Sequence, residues 1–330
     1  MKKILAMVLA LMMALGCMGA MAEAAEPVML TFSTMEEGTG AYTYAAALKG
    51  IIEKALPEGS TVELVPNSAG AMDAPKQIEA GECDLIMSNA GPAAWYNGAN
   101  ENSKVRALCG GLGYDFMTVL MTEKYAAEQG VYTLEEIVEK KLPVRLAVKE
   151  DGSLGAEAAK KVLIALGVSF DDLEAWGGKV IRTGSAGIRE AIENGEADMT
   201  IDHISAWQAN TTALCENVQM RFVQLENETL ERMTEYGFAP IDIEPGMFKW
   251  QSECVATVGS QQVVLVNADM DNELAYTIIK AICEADDELY TVAPALERFA
   301  PMDAGLESLC GAQVHAGAAL YYFENGYAAK

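Results

Sequence analysis

A duplication limits how this chain can fold more than any other feature: similar patterns recur 114 residues apart, as from Gly81 to Gly195. Gln77-Ile78-Glu79-Ala80-Gly81-Glu82-Cys83-Asp84-Leu85 resembles Ala191-Ile192-Glu193-Asn194-Gly195-Glu196-Ala197-Asp198-Met199. Upstream, Ser68-Ala69-Gly70 matches Ser185-Ala186-Gly187, and Gly38-Thr39 matches Gly152-Ser153. A strand-like run precedes each of the latter pairs, at 29–33 and 144–148. Each copy therefore reads strand, Gly-Thr/Ser loop, helix, strand, Ser-Ala-Gly loop, helix, Gly-Glu-x-Asp turn, strand. The helices have the 3.6-residue period: Tyr44, Ala47, Leu48, Ile51, Ile52 and Ala55 share one face, as do Ala159, Val162, Leu163 and Leu166. Alternating strands and helices predict an α/β fold with a parallel sheet covered on both sides, and two copies predict two such lobes.

In open α/β sheets the ligand crevice lies at the carboxyl ends of the strands. The Gly-Thr/Ser and Ser-Ala-Gly loops sit there and combine hydroxyls with helix N-terminal amides, which favour carboxylates. Thr39, Ser68, Ser153 and Ser185 are the candidate ligand contacts; the alternative is that they only cap helices. Asn89 and His203 occupy equivalent strand ends and are expected to face the cleft. Trp95 and Trp207, a few residues further on, either line the cleft or pack helices. His315 reads as structural. Downstream, 228–236 and 274–289 read as helices, 240–251 as a loop, 254–267 as strand-rich and 316–323 as a helix returning to the first lobe. The runs 116–122 and Gln262–Asn267 read as crossings between lobes, giving lobe 1 as 23–115 plus 262–330 and lobe 2 as 116–261.

The N-terminus, Met1-Lys2-Lys3 followed by an apolar run from Ile4 to Leu15, has signal-peptide form and is short of the roughly 20 residues of a membrane span. Cleavage after Ala20-Met21-Ala22 and lipidation at Cys17 both fit, and either predicts export. Without residues 1–22, which hold two lysines and no acid, 21 basic residues face 48 acidic ones, a net −27 that argues against nucleic acid. Six scattered cysteines remain, with no C-x-x-C pair and only two histidines, so no zinc or other cofactor is expected and buried free thiols are the simpler reading. There is no G-x-S-x-G elbow, and Asp202 and His203, adjacent on a strand, point to opposite faces. The chain reads as a binding protein, not an enzyme. A sensory receptor for a membrane kinase and an exported hydrolase stand as alternatives.

Four blocks carry a resemblance: the Gly/Thr loop from Thr34 through Gly40 to Tyr44; Gly81-Glu82-Cys83-Asp84-Leu85-Ile86-Met87-Ser88-Asn89; Gly152-Ser153-Leu154-Gly155 with Leu166-Gly167-Val168; and Val314-His315-Ala316-Gly317-Ala318 with Tyr321-Tyr322, Glu324 and Gly326. In this order, over about 28–327, the chain resembles the TAXI family of TRAP transporter solute receptors. The resemblance implies a type II periplasmic-binding-protein fold, two doubly wound lobes around a ligand cleft. It implies a monomer that binds an amino acid, dicarboxylate or keto acid and passes it to an ion-driven membrane permease. It adds Gly40, Tyr42, Phe248 and Gln251 as ligand contacts, the last two from a loop near the ligand. The chain departs from the family at Met35-Glu36-Glu37, at Thr43, at Asn67-Ser68-Ala69-Gly70 and at Lys149-Glu150-Asp151. If the added carboxylates face the cleft, a zwitterion or amine suits it better than a dianion; if they are solvated rim residues they say little.

Overall fold

The computed structural model describes residues 26–327 except Gly38, 286–288, 290–295 and 297–299. The leader expected at 1–22, with Cys17, and Gly38 of the first loop lie outside the described residues. The first copy runs β1 (Met29–Ser33), α1 (Gly40–Ala55), β2 (Thr61–Val65), α2 (Ala74–Ala80), β3 (Leu85–Asn89), α3 (Ala90–Ala99) and β4 (Val105–Cys109). Then come β5 (Asp115–Thr122), α4 (Glu123–Gln129) and α5 (Leu134–Lys140). The second copy runs β6 (Arg145–Val148), α6 (Leu154–Ala165), α7 (Phe170–Ala175), β7 (Lys179–Arg182), α8 (Ser185–Glu193), β8 (Met199–Ser205), α9 (Ala209–Asn217) and β9 (Met220–Phe222). The chain ends with α10 (Asn227–Glu235), β10 (Ala239–Ile243), β11 (Val255–Gly259), β12 (Gln262–Asn267), α11 (Asn272–Cys283) and α12 (Ala316–Glu324).

Two five-stranded sheets result, ordered β2-β1-β3-β12-β4 and β7-β6-β8-β5-β9. They have one topology, with β12 in the first sheet and β5 in the second holding the same place. The expectation of wholly parallel sheets needs correction: β12 runs antiparallel to β3 and β4, and β5 antiparallel to β8 and β9. The reason is directional. Strands that deliver their carboxyl ends to the cleft all run one way; a strand that enters a lobe from the cleft must run the other. The runs expected as crossings are thus central strands, buried along almost their whole length, and the chain crosses in the short segments just before them. The two crossings touch. A side chain on Gly259 would meet Asp115 O at 2.3 Å, and the Gln261 amide donates to Asp115 O (2.9 Å) while its oxygen accepts from Asp115 N.

Another correction concerns 240–251. Its first residues form β10, paired antiparallel with β11, with Pro240 opposite Val258. Pro240 is accommodated because this two-stranded ribbon has only edge strands, where a missing N–H is tolerated.

The repeated Gly-Glu-x-Asp turn has one structural job in both copies. Gly81 and Gly195 each take φ of 70°, a left-handed conformation that glycine adopts without strain. The aspartate then pins the neighbouring strand. Asp84 accepts from Thr31 N and Oγ1, both at 2.8 Å; Asp198 accepts from Arg145 N at 3.1 Å and from its guanidinium at 2.8 Å. Tyr44, Leu48 and Ile52 of α1 pack with Ile278, Ile279 and Ile282 of α11 and with Tyr321 and Tyr322 of α12, so the C-terminal helices complete the core of the first lobe. Leu146, Ala159, Val162, Leu163, Met199 and Ile201 form the counterpart in the second lobe. Among the described residues no disulfide forms; Cys83, Cys109, Cys215 and Cys283 are buried, while Cys254 is exposed.

Candidate ligand-binding cleft

Because β1, β3, β6 and β8 all end at the same gap, their loops from both copies wall one cavity of about 710 Å3, a size suited to a small solute. Thr39 and Ser153 hold equivalent corners. Each hydroxyl accepts the third amide of the helix that follows, from Tyr42 N (3.2 Å) and from Ala156 N (3.1 Å), and donates to a carbonyl three residues back, Glu36 O or Glu150 O, at 2.8 Å. Both are therefore helix caps that line the cavity. The first two amides of each helix, on Gly40 and Ala41 and on Leu154 and Gly155, have no intrahelical carbonyl to reach, and all four residues border the cavity. Gly40 lies close against the other lobe: a Cβ there would meet Ser205 Oγ at 2.2 Å.

Ser68 is buried and its hydroxyl accepts from Gly70 N (3.3 Å). Ser185 accepts from the Lys149 ammonium and from Gln208 Nε2 (3.1 Å). Lys149 also faces Asp202 Oδ2 at 3.8 Å. Burial raises the Asp202 carboxyl above its usual range, and the nearby lysine works against that rise.

Asn89 and His203 border the cavity, and both hold the same backbone residue of the return crossing. Asn89 Nδ2 donates to Ser260 O (2.6 Å), and His203 Nε2 accepts from Ser260 N (3.0 Å). That bond leaves the ring proton on Nδ1. Burial lowers the His203 pKa to about 3, so the ring is neutral. The Asp202 carboxylate accepts from the His203 backbone N–H (2.8 Å).

Three expected contacts do not border the cavity. Tyr42 lies on the half-buried third position of α1. Phe248 is buried against Phe222, with ring centroids 5.3 Å apart. Gln251 closes its own loop, donating to Ile243 O (3.3 Å) and accepting from Met247 N (3.1 Å). The loop after β10 folds back onto lobe 2 because its aromatic residue finds an apolar partner there. Neither tryptophan lines the cavity. Trp95 donates to Tyr236 O (2.8 Å) in the other lobe, and Trp207 packs within lobe 2. His315 caps α12, accepting from Gly317 N (3.1 Å).

Sequence reasoning missed Asp115 and Gln262, which begin β5 and β12. Gln262 Nε2 donates to Asp115 Oδ2 at 2.6 Å, and Asn89 Nδ2 (3.3 Å), Tyr44 OH (3.4 Å) and the Ser205 hydroxyl also bond this carboxylate. A signal did exist: each is a polar residue opening a mostly apolar run, Phe116–Met121 with its single Thr118 in one case and Val263–Val266 in the other. Glu36, Glu37, Glu150 and Asp151 border the cavity as exposed residues at its mouth, and among its described lining residues Lys149 is the one Lys or Arg.

A protein-family model, described as the NMT1-like family, matches residues 32–326. The chain belongs to the NMT1-like family. Solved structures resemble this NMT1-like chain in fold. PhnD1 from Prochlorococcus marinus (MIT 9301), in complex with methylphosphonate, superposes with a TM-score of 0.54 at 9% identity, over 84% of this chain and 92% of that one. The alkanesulfonate-binding protein SsuA from Xanthomonas axonopodis pv. citri, bound to MOPS, gives 0.50 at 16% identity, over 84% and 86%. The two-lobed α/β fold is thus shared with both of these solved structures. No curated protein sequence matches the chain.

Proposed function

We propose that this NMT1-like protein is an extracytoplasmic receptor of the TAXI type, which captures a small organic acid or amino acid between its lobes and delivers it to an ion-driven TRAP-type permease. The observation that carries the reading is the 710 Å3 cavity walled by matched loops of both copies. In the proposed mechanism, the amides opening α1, α6 and α8 take the ligand's carboxylate, with the helix dipoles favouring the anion. Ligand contacts made from both lobes at once favour the closed form, and only such differential contacts can drive closure. The crossings at 110–114 and 260–261 serve as the hinge, held by Asn89, His203 and Gln261. The N-terminal segment, with cleavage or lipidation, accounts for export. Carriage suits the site better than catalysis, because the ring nitrogen of His203 that could act as a base is already engaged by Ser260 N. Thr39, Gly40, Ser68, Ser153 and Ser185 form the proposed binding shell.

A thermal-shift screen of residues 26–330 against amino acids, dicarboxylates and keto acids tests the reading. A solute that binds only the folded state raises the melting temperature by mass action. A concentration-dependent rise with one chemical class is expected. The reading fails if no solute shifts the transition of protein stripped of retained ligand by unfolding and refolding.

A further inference from the structure

We propose that Asp115 and Gln262 form a subsite for a primary ammonium group on the inner wall of the cleft, so that the captured solute bears an amine and at most one carboxylate. The proposal rests on the receptor reading above and narrows it.

Asp115 borders the cavity and is only 1% exposed. Its hydrogen-bonding partners, Gln262, Asn89, Tyr44 and Ser205, are all neutral. The lysine of the cavity is committed to Asp202 and Ser185. A buried carboxylate with neutral partners keeps its hydrogen bonds but not its charge balance, and burial accordingly pushes the Asp115 carboxyl above its usual range.

Gln262 supplies the independent observation. It too borders the cavity and is 6% exposed. Its Nε2 donates to Asp115, and Oε1 is the amide's remaining polar atom. Among the described residues this buried oxygen has no hydrogen-bond donor. Buried acceptors are nearly always satisfied, so an unpaired one on a residue that borders the cavity calls for a partner there. A water or hydroxyl would satisfy Oε1 and leave the carboxylate uncompensated. An ammonium carries three donors and a positive charge and meets both needs. At the mouth, Glu36, Glu37, Glu150 and Asp151 repel a second carboxylate. An amino acid with a neutral or basic side chain fits these constraints, as does a simple amine; a dicarboxylate or keto acid does not.

The test is titration calorimetry on refolded protein with matched pairs: amino acids against their 2-oxo and 2-hydroxy counterparts, diamines against diols, and dicarboxylates. The amine of the best pair is expected to bind about 10- to 100-fold tighter than its counterpart. Asp115→Asn should remove most of that difference. The wild-type ratio needs no variant, and native mass spectrometry of the protein as purified gives a second readout: a retained solute with an amine supports the subsite, and one without overturns it. A counterpart acid or dicarboxylate that binds as tightly as any amine overturns the subsite and leaves the receptor reading standing. Absence of binding by every member, with nothing retained, overturns both.

Discussion

Asn89 and His203 stand at the same point in the two copies and grip opposite sides of Ser260. Asp84 and Asp198 likewise pin the same strand, and Thr39 and Ser153 cap the same helix. One place away the copies part. Lys149 and Asp202 of the second lobe make an ion pair, whereas the residues 114 positions earlier are Met35 and Ser88. Positions that hold the backbone are therefore alike in both lobes, and positions that face the gap differ. The second lobe thus brings the Lys149–Asp202 pair to the cavity, while the first brings Glu36 and Glu37 at the mouth and Met35 and Ser88 where that pair would stand, with Asp115 at the inner wall.

The largest effects test the alike positions. Asp198→Ala and Asp84→Ala each orphan a strand amide, and each is expected to cost about 2–3 kcal/mol in urea unfolding. Arg145→Ala, whose side chain is 45% exposed, should cost no more than about 1 kcal/mol. If Arg145→Ala reproduced the whole loss at Asp198, the ion pair and not the amide bond would be the working part, and the equivalence with Asp84 would break.

The two cleft glycines come next. A side chain at Gly155 would meet Asp202 Oδ1 at 2.0 Å within lobe 2, whereas at Gly40 it would meet Ser205 across the gap. Gly155→Ala should destabilise by about 1–3 kcal/mol through overpacking that nothing relieves. Gly40→Ala should shift the urea midpoint less and weaken ligand binding more, since the lobes relieve the clash by staying open. Adding Ser205→Ala should restore part of the affinity. Equal stability losses at both sites would show that the lobes cannot part there.

How much of this could be read from the chain follows the same division. The duplicated devices were legible because helix period, turn glycines and their spacing are local. The direction of β5 and β12 was not, because no local pattern records which way a strand enters a sheet. Asp115 and Gln262 fell outside both copies and so outside the frame that found Thr39 and Ser153. The loop hydroxyls could be read either as ligand contacts or as caps; Thr39 and Ser153 cap their helices and also border the cavity. Phe248 and Gln251 were carried over from a resemblance, and Phe222 and the loop's own carbonyls occupy them instead.

Buried carboxylates on the two walls should respond with opposite sign. Burial raises both pKa values, so the folded state holds these protons more tightly than the unfolded chain. Each group then makes stability fall as pH rises from its unfolded pKa through its raised folded pKa. Asp115→Asn should remove that fall and leave the ligand-free protein at neutral pH as stable as before, or about 1 kcal/mol more stable. The replacement fits, since an amide oxygen can keep the bonds from Gln262 and Asn89 while its nitrogen donates to the hydroxyls of Tyr44 and Ser205. Asp202→Asn should instead cost about 1–2 kcal/mol, because it leaves Lys149 facing no charge. Losses of the same sign and size would mean that the pairing with Lys149 contributes nothing.

The smallest effect is optical, and it separates the lobes by what their tryptophans touch. Trp95 stands on α3 of lobe 1 but packs on lobe 2. Lys161 lies over its ring at 4.6 Å, and the Phe238 ring centroid is 5.6 Å away. Trp207 stays in its own lobe, at a φ of 54°. Lobe movement must change the surroundings of the first and not of the second. A saturating ligand should therefore change intrinsic fluorescence in the wild type and in Trp207→Phe, and the change should vanish in Trp95→Phe even where calorimetry shows that binding persists. A signal that survives Trp95→Phe and disappears with Trp207→Phe would place the ligand-linked rearrangement inside lobe 2, with the contact between the lobes fixed.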